Sequence, residues 1–208
     1  MHKSHALITC ALMCVLFPPS ASCQGTLSEP GEARLNGLQP PDQVIEAIGV
    51  APGMVIGEIG AGRGRYTVHL AAKVGESGRI YANDISTSAL DYLEARCERN
   101  SIGNVETIVG EIADPRFPPG TLDMAFMISV YHHLAEPIEL LRNMAPALKP
   151  DATFVIVERD PEKANTAPDS GTTRDAFLAQ VDEAGYEVVR TETFLAQDNI
   201  YILRLKRR

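Results

Sequence analysis

The chain has 208 residues, 45% of them hydrophobic and 22% charged. That describes one ordinary globular domain, long enough to bury a real core. The formal net charge of −8 repels phosphate backbones, so the composition excludes nucleic acid as a partner. The basic end Lys206-Arg207-Arg208 is a solvated tail.

The first stretch stands apart from the fold. His2 and Lys3 make a weakly basic start, Ala6 to Phe17 is an apolar run, and Ser20-Ala21-Ser22-Cys23 supplies small residues for cleavage. Residues 1–23 therefore read as a secretory signal peptide, too short to span a bilayer comfortably. Cys23 after small residues also resembles a bacterial lipoprotein acylation site, although Ser20 stands where a large aliphatic residue is usual. Simple cleavage and acylation both stay open. The expected location is exported, periplasmic or anchored by a lipid on Cys23, and cytoplasmic if no cleavage occurs. Of the four cysteines Cys10 and Cys14 lie in the signal, leaving no disulfide framework and no metal-ligand spacing. Cys97 reads as a small core residue within a helix.

Residues 24–41, rich in Gly, Pro, Ser and Glu, read as a linker, and 42–208 as the domain. A short helix covers Gln43–Ile48. The first strand is Met54–Ile59, followed by three glycines and a helical pattern from Arg65 to Val74. A second strand, Arg79–Asp84, leads to a helix capped by Ser86 or Thr87 and running to Asn100. The third strand is Val105–Val109. The fourth, Leu122–Val130, is almost wholly apolar and so buried on both faces. Pro137 opens a helix to Leu148, which Pro150-Asp151 stops. Thr153–Glu158 is the fifth strand, and Asp160–Gly171 is irregular. Thr172 or Thr173 caps a helix that Gly185 ends. Glu187–Thr193 and Asn199–Leu205 are two last strands. Strands alternating with helices predict a doubly wound α/β fold around a parallel sheet. The last two strands are too close for a crossover helix and must pair antiparallel or lie at an edge.

The organising stretch is Val55-Ile56-Gly57-Glu58-Ile59-Gly60-Ala61-Gly62-Arg63-Gly64-Arg65-Tyr66. A glycine turn between strand and helix lets a ligand approach the backbone and meet the free N–H groups of the helix start. The dinucleotide fingerprint needs G-x-G-x-x-G, but position 65 is Arg. Glu58, two residues before the first glycine, suits a cationic ligand end better than a pyrophosphate. Asp84 lies about 20 residues beyond the turn, where an acid takes ribose hydroxyls; the competing role is capping the helix that begins after Ile85.

This E-x-G-x-G-x-G pattern resembles motif I of the class I S-adenosylmethionine-dependent methyltransferases. The resemblance covers residues 41–205. It implies a seven-stranded, mostly parallel Rossmann-like sheet, with an antiparallel last strand inserted beside the fifth. It further implies that Glu58, Gly60, Ala61, Gly62, Gly64 and Tyr66 surround the cofactor with Asp84 and Ile85. The run Gly110-Glu111-Ile112-Ala113-Asp114-Pro115-Arg116-Phe117-Pro118 is similar to the family's G-D-A-x-x-L-P-F-P, with Glu for the first acid and Ile for the small residue. Glu111 and Ile112 are thereby expected at the adenine, with Asp114 a competing acid. Ser129-Val130-Tyr131-His132-His133-Leu134 resembles motif IV in its paired-histidine variant. Ser129 is then a cofactor contact, and Tyr131 and His132 are the candidates for the general base; Glu158 and Asp160 are further candidates. His132 is expected to face the ligand and His133 to turn toward packing. The implied reaction is methyl transfer from S-adenosyl-L-methionine to a small-molecule acceptor by in-line displacement, which asks the protein mainly for positioning and exclusion of water. Protein carboxyl methylation of the isoaspartyl type, nicotinamide redox chemistry and a non-catalytic adenosyl-binding role are the rivals.

Overall fold

A computed structural model describes residues 27–164 and 173–207. The expected signal peptide and Cys23 lie outside the described residues. Within them the order is α1 (Ala33–Leu38), α2 (Pro41–Ala47), β1 (Val55–Ile59), α3 (Thr67–Val74), β2 (Arg79–Asp84), α4 (Thr87–Arg99), β3 (Val105–Val109), β4 (Leu122–Ile128), α5 (Pro137–Met144), β5 (Leu148–Arg159), α6 (Pro161–Ala164), α7 (Arg174–Glu183), β6 (Tyr186–Glu192) and β7 (Asp198–Leu205). The strands form one seven-stranded sheet in the order β3-β2-β1-β4-β5-β7-β6. All neighbours pair in parallel except β7, which is antiparallel to both β5 and β6. This is the expected doubly wound sheet with its antiparallel insertion. The strand order reverses between β1 and β4, where open α/β sheets leave a crevice at their carboxyl ends.

Sequence patterns explain the layers. β4 is buried along nearly its whole length because helices cover both faces of the sheet. On one face Leu140, Leu141 and Met144 of α5 meet Phe177 and Val181 of α7. On the other, Val44 and Ile45 of α2 meet Leu70 and Val74 of α3. The Ser86 hydroxyl accepts from Ala89 N–H at the start of α4, and Thr173 does the same for Ala176 at α7, as capping predicts.

Among the differences from expectation, two have local causes and a third comes from contacts distant in sequence, while the stretch after Asp160, read as irregular, opens with the short helix α6. β4 stops at Ile128 because Ser129 turns with φ +55°. α5 ends at Met144, and a short 3₁₀ turn over Ala145–Ala147 leads into β5, which begins at Leu148. Pro150 is tolerated inside that strand because pairing with β4 is irregular there: Leu122 faces Leu148, but Met124 faces Thr153.

The third difference concerns the expected linker. From residue 27 it is a folded arm tied to the domain. Arg96 of α4, with no exposed surface, grips the arm. Its Nη1 donates to Glu32 Oε1 (2.7 Å) and its Nη2 to Glu32 Oε2 (3.0 Å), while the same nitrogens reach Arg63 O at 3.0 Å and Leu27 O at 2.8 Å. Tyr92 O–H donates to the Glu29 carboxylate. Burial pushes the Glu32 carboxyl up, but the hydrogen bonds from Arg96 and Glu29 N–H, with the charges of Arg96 and Arg65, outweigh it and hold the group below its usual range. Arg65 Nη2 donates to Gln39 Oε1 and Tyr66 O–H to Gln39 O, carrying the arm to the glycine turn.

A buried cation whose partners stay behind is costly to delete. Arg96→Ala is expected to lower unfolding stability in urea by about 3–5 kcal/mol and to open residues before Gln39 to protease. Arg99→Ala, at the exposed end of the same cluster, is expected to change stability by no more than about 0.5 kcal/mol.

Candidate active site

The glycine turn after β1 is built from three glycines with positive φ: +69° at Gly60, +56° at Gly62 and +83° at Gly64. They serve different ends. A Cβ on Gly60 would sit 2.4 Å from Val130 Cγ2, and one on Gly64 2.3 Å from Leu93 Cδ1. Those two are glycine because the chain itself needs the space. A Cβ on Gly62 would meet nothing within 4 Å. Gly62 alone lines open space, as a cradle for a ligand requires.

Asp84 closes this cradle from the end of β2. Its Oδ2 accepts from Gly62 N–H at 2.8 Å and its Oδ1 from Ser86 N–H at 2.9 Å. The carboxylate thus fixes the turn and caps the approach to α4, with lone pairs left for further donors. Ala61 is buried, its N–H donating to Asn83 O at 2.8 Å.

Beside Asp84 a groove of about 660 Å³ is lined by Ile85, Gly110, Glu111, Ile112, Ala113 and Asp114. The structure thereby brings together Ile85, Glu111 and Ile112, which the sequence places on two separate loops. Ile85 is 65% exposed and Ile112 59%. Two bare aliphatic side chains flanking one groove suit a flat, weakly polar ring. The Glu111 carboxylate pairs with Arg116. Asp114 holds its own loop in shape, because its Oδ1 accepts from Arg116 N–H and its O from Glu111 N–H.

Two expected cofactor contacts turn inward. Glu58 is buried and its Oε2 accepts from the Thr67 hydroxyl at 2.6 Å. Burial pushes its carboxyl up to about 7, against the Thr67 hydrogen bond and the Arg65 charge. Tyr66 is buried against Phe126, with its hydroxyl on Gln39 O. Ser129 sits at the rim, where its hydroxyl accepts from Gln39 Nε2 at 2.9 Å.

The two candidate bases part company. Tyr131 is buried edge-on against Phe177, and its hydroxyl donates to Gln180 Oε1 at 2.8 Å. Burial and the Glu158 charge push its phenol up, away from any use as a base. His132 is partly exposed, and its Nδ1 lies 2.7 Å from Oε1 of Glu158, which is 3% exposed. A carboxylate partner keeps the proton on Nδ1, so Nε2 presents a lone pair. Glu158 and His132, read from the sequence as alternatives, form one unit. His133 is exposed and lies tilted against His132, at 4.0 Å between ring centroids, rather than packing into the core. Gln39, Thr67 and Asn199 were not anticipated. Asn199 had a signal, a polar residue opening an apolar strand.

Residues 56–151 match the family model described as a methyltransferase domain. A demethylmenaquinone methyltransferase of Bacillus licheniformis is 27% identical over 117 residues, 56% of this chain and 50% of that protein. A ubiquinone/menaquinone biosynthesis C-methyltransferase of Salmonella arizonae is 28% identical over 115 residues, 55% of this chain and 46% of that protein. The chain spans about half the length of these curated relatives. A solved SAM-dependent methyltransferase from Aquifex aeolicus superposes with a TM-score of 0.77 at 26% identity, over 85% of this chain and 94% of that one. The chain carries the class I SAM-dependent methyltransferase fold, and S-adenosylmethionine is the cofactor such a domain takes. The open cradle at Gly62, the Asp84 carboxylate and the Ile85–Ile112 groove fit that cofactor's glycine-turn, ribose and adenine requirements.

Gly62→Ala is expected to fold, at about 1–2 kcal/mol for its left-handed backbone, yet to lose S-adenosylmethionine affinity in calorimetry. Gly64→Ala is expected to fail first in stability, by overpacking Leu93. Glu58 gives a pH test. Its folded value is raised, so its contribution is complete below the unfolded value and is lost as pH rises toward about 7. Glu58→Gln is expected to flatten the fall in unfolding stability between pH 5 and 8, an effect on the order of 3 kcal/mol.

Proposed function

We propose that the protein transfers a methyl group from S-adenosylmethionine to a small organic acceptor, with His132 as the general base. The observation that carries this reading is the His132 Nδ1–Glu158 Oε1 contact of 2.7 Å at the carboxyl ends of β4 and β5, on the rim that also holds the open glycine turn. When bound, the cofactor supplies a methyl group already activated on a sulfonium, whose carbon–sulfur bond breaks as the acceptor attacks.

The chain's own residues do two things. Gly62, Asp84 and the Ile85–Ile112 groove hold and orient the donor, and positioning alone accounts for much of such a reaction. His132 Nε2 takes the acceptor's proton while Glu158 holds the ring and stabilises the imidazolium that forms. The names of the curated relatives, demethylmenaquinone and ubiquinone/menaquinone methyltransferases, support a quinone-type acceptor; a base acts on its reduced form, whose hydroxyl carries a proton to give up.

His132→Ala is expected to lower turnover about 10²–10⁴-fold with S-adenosylmethionine affinity unchanged, and Glu158→Gln to lower it less. A labelled methyl donor with a reduced naphthoquinone as acceptor reads both. Full turnover in His132→Ala sinks the base and leaves positioning alone. The export signal read in residues 1–23 would place this activity outside the cytosol. Mass spectrometry of protein from its host is expected to find the mature terminus at Cys23 or Gln24; an intact Met1 overturns export.

A further inference from the structure

The groove beside Asp84 is walled by a loop with little structure of its own. Residues 110–116 leave the end of β3 and return, with Glu111 and Ile112 exposed along the groove. Most side-chain hydrogen bonds on this loop are exposed as well. Arg116 reaches Glu111 and, through its N–H, Asp114, and Asn143 Nδ2 of α5 donates to Ala113 O at 2.9 Å. Among the described residues, one side-chain hydrogen bond to the loop is buried. Asn83, next to last in β2 and 4% exposed, donates from Nδ2 to Pro115 O at 3.1 Å and also to Ile108 O at 3.2 Å. It clasps the two ends of the loop.

The register of the sheet puts the amide there. Asn83 faces Ile108 across the β2–β3 ladder, and Tyr81, two residues earlier, leaves by the same face. Tyr81 packs against Phe117 at 6.5 Å between ring centroids, so one face of β2 seats both Pro115 and Phe117 as the chain comes back. The orientation of the amide is fixed, because carbonyls only accept and a flipped amide would set oxygen against both. The loop is shaped to it. A Cβ on Gly110 would lie 2.3 Å from Asn83 Nδ2, so this glycine makes room for the amide. The strand end also holds the rest of the site: Asn83 O accepts from Ala61 N–H at 2.8 Å, and Asp84 O from Gly110 N–H at 3.1 Å. Two adjacent residues tie the glycine turn and the loop to one place on the sheet.

We propose that Asn83 is a positioning residue for recognition of the cofactor's base, acting through Glu111. This rests on the S-adenosylmethionine reading above, which puts the adenine between Ile85 and Ile112. Adenine carries an amino group, and Glu111, paired with Arg116 through Oε1, has a second oxygen to accept from it. Hypoxanthine carries a carbonyl oxygen in the same place and meets the carboxylate as acceptor against acceptor. A carboxylate on an exposed loop tells the two apart only while it is held, because a loose one turns away from the wrong base. Arg116 does not supply that hold, since it belongs to the same loop and moves with it. Asn83 belongs to the sheet. Through it the loop keeps a fixed spacing from Asp84, so the acid for the ribose and the acid for the base act on one rigid ligand together.

The test is calorimetry on the full chain with two probes, S-adenosyl-L-homocysteine and S-inosyl-L-homocysteine, which differ in that one group of the base. The wild type is expected to bind the adenosyl probe at least about tenfold tighter. Asn83→Ala is expected to weaken the adenosyl probe by about the same tenfold and the inosyl probe little, so that the preference falls to near one. Asn143→Ala removes an exposed contact to the same loop and is expected to keep the preference. A residue that merely supports the fold weakens both probes alike. A preference that survives in Asn83→Ala therefore overturns the proposal, as does equal binding of the two probes by the wild type. If Asn83→Ala does not fold, wild-type crystals with and without S-adenosylhomocysteine decide. The loop is expected to keep its path and both Asn83 hydrogen bonds in the two; a loop that leaves Asn83 in either one overturns the proposal. A wild type that binds neither probe sinks the S-adenosylmethionine reading, whereas binding whose preference ignores Asn83 sinks the positioning role alone.

Discussion

The structure depends on one steric constraint, the reversal of the chain between β1 and α3. Strand and helix must be joined while Val130 presses on the turn from the end of β4 and Leu93 presses from α4. Only glycine fits at Gly60 and Gly64, where a Cβ would run into Val130 and Leu93, so the turn lies close against the end of β4 and against α4. Gly62 between them is then held away from the core with its surroundings open. Neighbouring glycines thus divide the work: two make room for the chain's own packing, and the third leaves the backbone open.

Polar groups then brace that turn. Asp84 takes the Gly62 N–H, Arg96 takes the Arg63 carbonyl, and Gln39 is gripped by Arg65 and by Tyr66. Each of these interactions joins the turn to a different segment: β2, α4 and the N-terminal arm. The arm is therefore part of the site's support. Its Gln39 also reaches Ser129 at the end of β4, so one residue spans the crevice between the two halves of the sheet. Preorganisation of this kind is what a reaction governed by positioning asks of its scaffold.

Much of the fold was legible because its signals are local. β2 and β3 occupy the expected residues, and the short connection between β6 and β7 forced the antiparallel pairing. What escaped depended on contacts distant in sequence. The arm has linker composition, and it folds on residues far along the chain, Arg96 and Tyr92 of α4 with Arg65 and Tyr66 of the glycine turn. Pro150 reads as a stop, but an irregularity opposite Leu122 lets β5 begin before it. At the site, the glycines and Asp84 were legible from spacing, whereas the inward turn of Glu58 and Tyr66 follows from Thr67 and Gln39. The sequence offered Tyr131, His132, Glu158 and Asp160 as rival bases, since spacing says nothing about which side chains share a face.

The sheet settles that question through pairing. β5 brings Glu158 beneath His132, and antiparallel β7 brings Asn199 level with Glu158. A parallel strand at this place would enter from the far end of the sheet and offer the rim its last residues; β7 instead begins there. The antiparallel insertion thus gives the reactive rim a second polar strand start, Asp198-Asn199, without another crossover. Glu158 is held in its turn, its Oε1 also accepting from Arg159 N–H, so the carboxylate that orients His132 is itself fixed by the sheet.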